Sequence, residues 1–483
     1  MSTTISRLRR SPRSARVSPS SMAAAGGLHP LGVLVLLAGA FLPIADFFIV
    51  NVALPTIDRT MNASAPTLEL IVAGYGIAYA ALLVLGGRLG DRYGRHRLFI
   101  GGLMGFMLTS LACGLAPDIQ VLIGARVLQG AAAAMLVPQV LATCHAALEG
   151  ERNARALALY GSTSGIAAVV GQLAGGLLVH ADIAGTSWRP IFLINIPLGL
   201  LVLVAALRVV PATKSEHAVG IDLPGTVLFA LTLVALLVPL TEGHDVGWPI
   251  WTWALLAASV VLAGVTFVVE QRSERRGNVP LLPPSLLKLP SMWRGLALIL
   301  PFSMAFGSFM FVFALTVQNG LHFSPLKSGL AILPMVVLFL LGSIFSPRII
   351  ARYGRGAMAT AGLVQVAGLA SMIAVMTGTW PRTTMLELAL PLAVNGACQS
   401  VLFTGLFRVV LRDVPAHHAG IGGGALITLQ QSGLALGVAT LGTLYLALEP
   451  NGASHAFAWA VGVQAVFVAL VVAGTKMLPR FTS

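Results

Sequence analysis

Apolar residues run in long blocks along this chain, and charged residues gather in short clusters between them. A membrane-crossing helix needs at least about 17 consecutive, mostly apolar residues, and fourteen blocks meet that length. Six come first, at about 31–55, 67–86, 98–115, 119–144, 156–179 and 190–209. Two follow at 223–240 and 250–269, and a polar stretch over 270–288 then predicts a linker in water. Six more complete the series, at 293–318, 329–345, 358–378, 385–408, 419–446 and 456–475. The pattern predicts an all-α integral membrane protein.

Composition agrees with that class. Of 483 residues, 57% are hydrophobic and 10% charged, with a mean hydropathy of +0.87, whereas soluble domains carry about 25% charged residues. The net charge of +13 does not mark a nucleic-acid binder, because the basic residues sit in short runs between apolar blocks. With the N-terminus cytoplasmic, all but five of the 30 lysines and arginines fall in cytoplasmic segments. Arg59, Arg189, Lys327 and Arg382 fall outside, and Arg126 lies within the fourth block. That bias predicts an even number of spans with both termini in the cytoplasm. Residues 1–29 hold Arg7, Arg9, Arg10, Arg13 and Arg16 among serines and read as a disordered basic cytoplasmic tail, since the apolar block after them is too long for a signal peptide. Cys113, Cys144 and Cys398 lie in or beside apolar blocks and form no metal or disulfide framework. No G-x-x-x-x-G-K-[ST] run occurs, so nothing points to ATP-driven work. The sequence predicts no cofactor and no metal site.

One short stretch stands apart. Gly86 to Phe99, GGRLGDRYGRHRLF, places four arginines, an aspartate and four glycines between two apolar blocks. Charge this dense belongs in water at a membrane face, and the glycines let two helix ends approach closely. The residues Gly87, Leu89, Asp91, Arg92, Gly94, Arg95 and Arg97 resemble the signature loop of the major facilitator superfamily. Arg88 to Arg95 recurs as Arg348 to Arg355, with Ala351 where the first copy has Asp91. A repeated loop is expected of transporters built from two related halves. Twelve spans plus the pair at 223–269 resemble the fourteen-helix drug:proton antiporter branch of that superfamily. The resemblance implies a tail at 1–29, a six-helix bundle at 30–210, two inserted helices and a linker at 211–291, a second six-helix bundle at 292–476, and a short cytoplasmic tail at 477–483.

Within the spans, few residues carry chemistry. Asp46 lies deep in the first, in IADFFIVNVALP. A lone carboxylate there is a functional candidate by default, and burial disfavours the charged form of such a group, which suits one that binds and releases a proton. Asp46, Asn51, Ala53, Leu54 and Pro55 resemble the first-span motif of the same branch. Arg126, Gln129 and Gly130 resemble the fourth-span motif R-x-x-x-G. At 1.5 Å per residue, Asp46 and Arg126 lie at similar depth and are expected to interact directly or through water. The competing view of each is a static ion pair that only joins two helices. Gly161, Gly165, Gly171, Gly175 and Gly176 resemble the glycine-rich fifth-span motif of proton-driven exporters, with Gln172 in place of its usual proline. Trp188, Arg189, Phe192, Asn195, Pro197 and Gly199 resemble the start of the sixth span, and Gly422 to Ala425, Thr428, Gln431, Gly433 and Gly437 the penultimate one.

Asp91, Gly87, Arg92, Gly94 and Arg95 are the expected gating loop, with Asp91 meeting the positive N-terminal end of the penultimate span. Gln129, Asn195, Gln318, Asn395, Gln399, Gln430 and Gln431 are candidates for a central cavity, with interhelical hydrogen bonds as their alternative role. Glu69 and Glu387 sit near outer span ends and are expected to reach interfacial water. Together these readings imply a multi-pass plasma-membrane exporter, monomeric and lipid-embedded, that exchanges small organic molecules such as drugs or antibiotics for protons. A proton-linked transporter of one specific metabolite and a non-transporting membrane receptor or assembly protein on the same scaffold are the alternatives. No clustered nucleophile and base points to an enzyme.

Overall fold

A computed structural model describes residues 28–148, 150–213, 220, 222–243, 246–278, 280–281, 283–414 and 419–478. The expected tails therefore lie wholly or largely outside the described residues, as does Lys214. Among the described residues, thirteen helices are long and apolar enough to cross a membrane, and the helix over Gly150–Ala181, apolar through Gly165–Ala181, makes the fourteenth. No strand occurs among the described residues.

The first half contains α1 (Pro30–Met61), α2 (Ala65–Tyr93), α3 (Arg95–Gly114), α4 (Ile119–Ala147), α5 (Gly150–Ala181) and α6 (Pro190–Val209). The inserted pair is α7 (Leu223–Glu242) and α8 (Ile250–Arg275). The second half contains α9 (Pro290–Gly320), α10 (Pro325–Tyr353), α11 (Arg355–Thr379), α12 (Met385–Leu411), α13 (Gly422–Asn451) and α14 (Ala453–Met477). Within the first half α2 and α3 pack on α4, and α1 on α5; within the second α10 and α11 pack on α12, and α9 on α13 and α14. This is the expected arrangement of two six-helix bundles with two added helices.

Local chemistry sets the ends and bends. His29 and Asp118 cap α1 and α4 by accepting the backbone N–H of Leu31 and Val121, which satisfies donors a helix leaves open. Pro43 and Pro55 lie inside α1, where each removes a backbone donor and loosens the helix. The charged turn between α2 and α3 needs Gly94, whose φ is +104°, a region closed to most side chains. Its repeat uses Gly354 at φ +56°.

The polar linker begins later than its composition implies. α8 continues to Arg275, and Glu270 is buried within it. Arg88, half of the signature turn's helical edge, is also buried and donates to the carbonyls of Gly220, at 3.1 Å, and Pro280. The segments flanking the inserted pair therefore close over the guanidinium, and backbone carbonyls there take the place of water. α7 lies in the groove where α2 meets α13, through Leu233 and Leu237 against Ala73, Ile77, Ala435 and Ala439.

The halves touch on the side of the membrane domain opposite the Gly86–Phe99 turn. Gln318, in a π-helical turn at the end of α9, donates to the Val52 carbonyl at 2.9 Å. Thr443, just after a second π-helical turn in α13, donates toward Glu69 at 2.9 Å. Glu69 is only 1% exposed, so the expectation that it reaches interfacial water is wrong: the second half covers it. Glu387 is exposed as expected and forms a capping box with Thr384.

Four of the fifth-span glycines are contact points. A Cβ on Gly171 would meet the Ala45 carbonyl oxygen at 2.5 Å, and one on Gly175 the Ile49 oxygen at 2.8 Å. Gly176 faces the Pro325 oxygen at 2.6 Å and Gly165 the Leu340 side chain at 2.9 Å. α5 is thus wedged between α1 and α10. The surroundings of Gly161 lie outside the described residues. Overpacking of this kind costs about 1–3 kcal/mol, so Gly171→Ala is expected to lower the thermal unfolding midpoint of the purified protein. Gly101→Ala, where a Cβ meets nothing within 4 Å, is the matched control and should leave it unchanged.

Candidate functional site

Asp46 and Arg126 form a fully buried ion pair, joined through the Arg126 Nη1 and Asp46 Oδ2. The other carboxylate oxygen, Oδ1, accepts from Gln129 Nε2 at 3.0 Å and from Asn195 Nδ2 at 2.8 Å. Ser110 Oγ stands behind both amides, at 2.7 Å from Gln129 and 3.2 Å from Asn195. Arg126 also donates from Nη1 to Gln129 Oε1 at 2.6 Å and from Nε to the Ile71 carbonyl at 3.1 Å. Its guanidinium lies 4.3 Å from the centre of the Tyr75 ring and 5.7 Å from that of Phe192. Residues from α1, α2, α3, α4 and α6 therefore converge on one charge pair.

The helix period explains the convergence. Gln129 follows Arg126 by three residues, so both leave α4 on one face. Asn195 stands where α6 resumes after the break at Ile194. The donor set suits an ionised carboxylate, which only accepts. A proton on Asp46 would need an acceptor, and the groups around the carboxylate are donors except at Ser110 and Gln129.

A cavity of about 380 Å³ lies between the halves, next to this pair. Phe47, Tyr75 and Tyr79 line it from the first half, and Phe302, Phe306 and Phe403 from the second. It reaches Leu411 in the last turn of α12 and Gly423 near the start of α13, toward the side of the signature turn. Tyr75 is shared: its ring covers Arg126, its hydroxyl donates to the Pro43 carbonyl at 3.0 Å, and it walls the cavity. A larger apolar groove of about 800 Å³ between α1, α5 and α6 contains none of the candidate residues.

The predicted site residues fall into three groups. Asp46 and Arg126 meet as expected. Gln129 and Asn195, expected in the cavity, are instead the amide partners of Asp46. Gln318 bonds to α1, and Asn395 accepts from Gln365 at 2.6 Å inside the second half; neither lines the cavity, because each is used in helix contact. Gln399, Gln430 and Gln431 do line it, and so does Gln172, which also points its amide at the Met310 sulfur at 3.6 Å. Asp91 accepts from Arg95 across the turn at 2.8 and 3.0 Å, while residues 415–418, where the penultimate span was expected to meet it, lie outside the described residues. Gly87 sits in ordinary contact with Pro138, and Arg92 is exposed.

Sequence reasoning missed Ser110, Tyr75 and the aromatic walls. Serine is common at interhelical contacts, and phenylalanines within apolar spans look the same whether they face a cavity or a core. Only Tyr75 and Tyr79, polar rings four apart in one span, carried a usable signal.

The model of the Major Facilitator Superfamily matches residues 36–438. The "Probable actinorhodin transporter" of Streptomyces coelicolor is 36% identical over 86% of this chain and 72% of its own length. The puromycin resistance protein pur8 of Streptomyces alboniger is 33% identical over 88% of this chain and 84% of its own. A crystal structure of a POT family transporter in complex with 5-aminolevulinic acid superposes with a TM-score of 0.66 at 13% identity, covering 93% of this chain and 96% of that one, a likeness of fold.

Removing one member of a buried pair leaves the other charge uncompensated, at about 3–5 kcal/mol. Arg126→Met and Asp46→Asn should therefore each lower the unfolding midpoint. Adding Asp46→Asn to Arg126→Met should restore part of the loss, measured by thermal unfolding of the purified variants in detergent.

Proposed function

This chain belongs to the Major Facilitator Superfamily, and from that premise we propose that it exports small organic molecules such as drugs or antibiotics in exchange for protons. The observation that carries the reading is the placement of a buried, titratable carboxylate directly behind the wall of a central cavity. Relatives named for transport of actinorhodin and for puromycin resistance support the cargo class. The chain is a multi-pass membrane protein; its distribution of basic residues supports cytoplasmic termini, and we take it to act as a monomer in the plasma membrane.

The coupling follows from competition for one oxygen. Asp46 Oδ2 holds either Arg126 or a proton, because a neutral carboxyl no longer offers that oxygen as an ionic partner. Protonation frees the guanidinium, which is held otherwise by Gln129, the Ile71 carbonyl and the Tyr75 ring. A shift of Arg126 moves Tyr75, and Tyr75 is part of the cavity wall. Cargo pressing on that wall acts in the reverse direction, so occupancy of the cavity and protonation of Asp46 influence one another, as linkage requires.

Alternating access then rocks residues 30–210 against residues 292–476 around the cavity. In the opposite conformation the contacts made by Gln318 and Glu69 open. Asp91 takes up the N-terminal end of α13, and the signature turn shuts its own side. Asp91 is a gate residue in this scheme and touches no cargo.

Inside-out membrane vesicles with an acidic lumen test the reading. Wild-type protein should drive gradient-dependent uptake of members of a panel of charged and uncharged fluorescent drugs, and Asp46→Asn should reduce that uptake to the level of vesicles lacking the protein. Gradient-driven uptake by Asp46→Asn at the wild-type rate would sink the role given to this carboxylate.

A further inference from the structure

We infer that the cavity takes an uncharged, flat polycyclic molecule bearing carbonyl and hydroxyl groups, so that each exchange for a proton moves net charge across the membrane. This rests on the exporter reading and names the substrate class of that same cavity.

Three observations carry it. The first is the absence of charge. Among the described residues, no aspartate, glutamate, lysine, arginine or histidine lines the cavity. The nearest ionised pair, Asp46 and Arg126, is fully buried behind Tyr75 and Phe47, with both carboxylate oxygens already taken. A cationic cargo would shed its water and find ring faces but no counter-charge. Ring faces do attract cations, yet stripping water from a full charge is the larger cost.

The second is ring placement. Aromatic side chains come from both halves, and several already pair: Phe48 with Phe306 at 5.7 Å between centroids, Phe302 with Phe403 at 6.3 Å, and Phe403 with Phe407 at 4.3 Å. Ring contacts of this kind are favourable, and a flat cargo between the halves would find ring faces on both sides. The volume, about 380 Å³, falls at the lower end of the range for drug-sized ligands.

The third is the polar inventory. Gln172, Gln399, Gln430 and Gln431, with Tyr79 and Tyr160, supply the fixed polarity of the walls. Each amide offers a carbonyl acceptor and an NH₂ donor. That mixture matches neutral carbonyl and hydroxyl groups, which also accept and donate. It favours neither an ammonium, which only donates, nor a carboxylate, which only accepts.

Charge balance gives the class a second signature. When a neutral molecule leaves and one proton enters, one positive charge moves inward per cycle, so membrane potential alone drives export. A monovalent cation exchanged for one proton moves no net charge.

The test uses the full chain in lipid nanodiscs, with empty nanodiscs as the blank, and two three-ring probes: quinizarin, a neutral hydroxyquinone, and ethidium, a permanent cation. Equilibrium dialysis should show quinizarin bound at least about tenfold more tightly than ethidium, with Phe403→Ala and Gln431→Leu weakening it by about tenfold each. Gln431→Glu, which adds a carboxylate to the wall, should raise ethidium binding. Equal or tighter ethidium binding by the wild type overturns the class, as does quinizarin binding that both variants leave unchanged. Where a cavity variant does not fold, the wild type in inside-out vesicles decides: quinizarin uptake should respond to an imposed lumen-positive potential at zero pH gradient, and uptake that a pH gradient drives but potential does not affect overturns it. Specific quinizarin binding with no gradient-driven movement would instead sink the exporter reading and leave the class standing. Gradient-driven movement of ethidium without quinizarin binding would do the reverse.

Discussion

A carboxylate and a guanidinium held out of water inside the membrane domain dictate much of the first half. An isolated charge at the centre of a membrane helix costs about 2.5–3.5 kcal/mol even by the mildest measure. The pair is tolerated because five helices bring it partners: the carboxylate on α1, the Ile71 carbonyl and Tyr75 ring on α2, Ser110 on α3, Arg126 and Gln129 on α4, and Asn195 on α6. Each of those helices is then fixed relative to the others by a bond it would be expensive to lose. In the proposed alternating access the bundle would move as one piece, because its least tolerable group sits at its centre.

Among the described residues, the second half has no such centre. Its fourth helix, α12, carries Asn395, bonded to Gln365 of α11, a neutral pair where the first half has a charged one. The repeated turn shows the same drift, with Ala351 in place of Asp91. The two halves share an architecture and differ in what it holds. The first holds the buried ion pair, and the second contributes Gln399, Gln430 and Gln431 and much of the aromatic wall.

The fold was legible because the bilayer leaves so few alternatives: long apolar blocks must be helices, and their charged connections must lie at the faces. Asp46 and Arg126 were legible for a related reason, since a charge is conspicuous where charge is costly. Amides are ambiguous. Gln129 and Asn195 looked like Gln430 and Gln431 in the sequence, yet two serve the ion pair and two face the cavity, a difference set by helix rotation that hydrophobicity does not encode in a span apolar all round. Glu69 misled because its position near a helix end implied water, whereas a π-helical turn of the second half covers it. The aromatic wall had no signature, because apolar spans need bulky residues whatever they face.

The inserted pair leaves the molecule with two unlike sides in the plane of the bilayer. α7 fills the furrow along which α2 meets α13, and α8 covers α7 in turn. Across the molecule, α5 meets α10 through glycines with no added helix over the junction. A lipid-soluble compound diffusing within a leaflet therefore meets two different flanks, one thickened by the inserted pair and one sealed only by the close approach of two helix backbones.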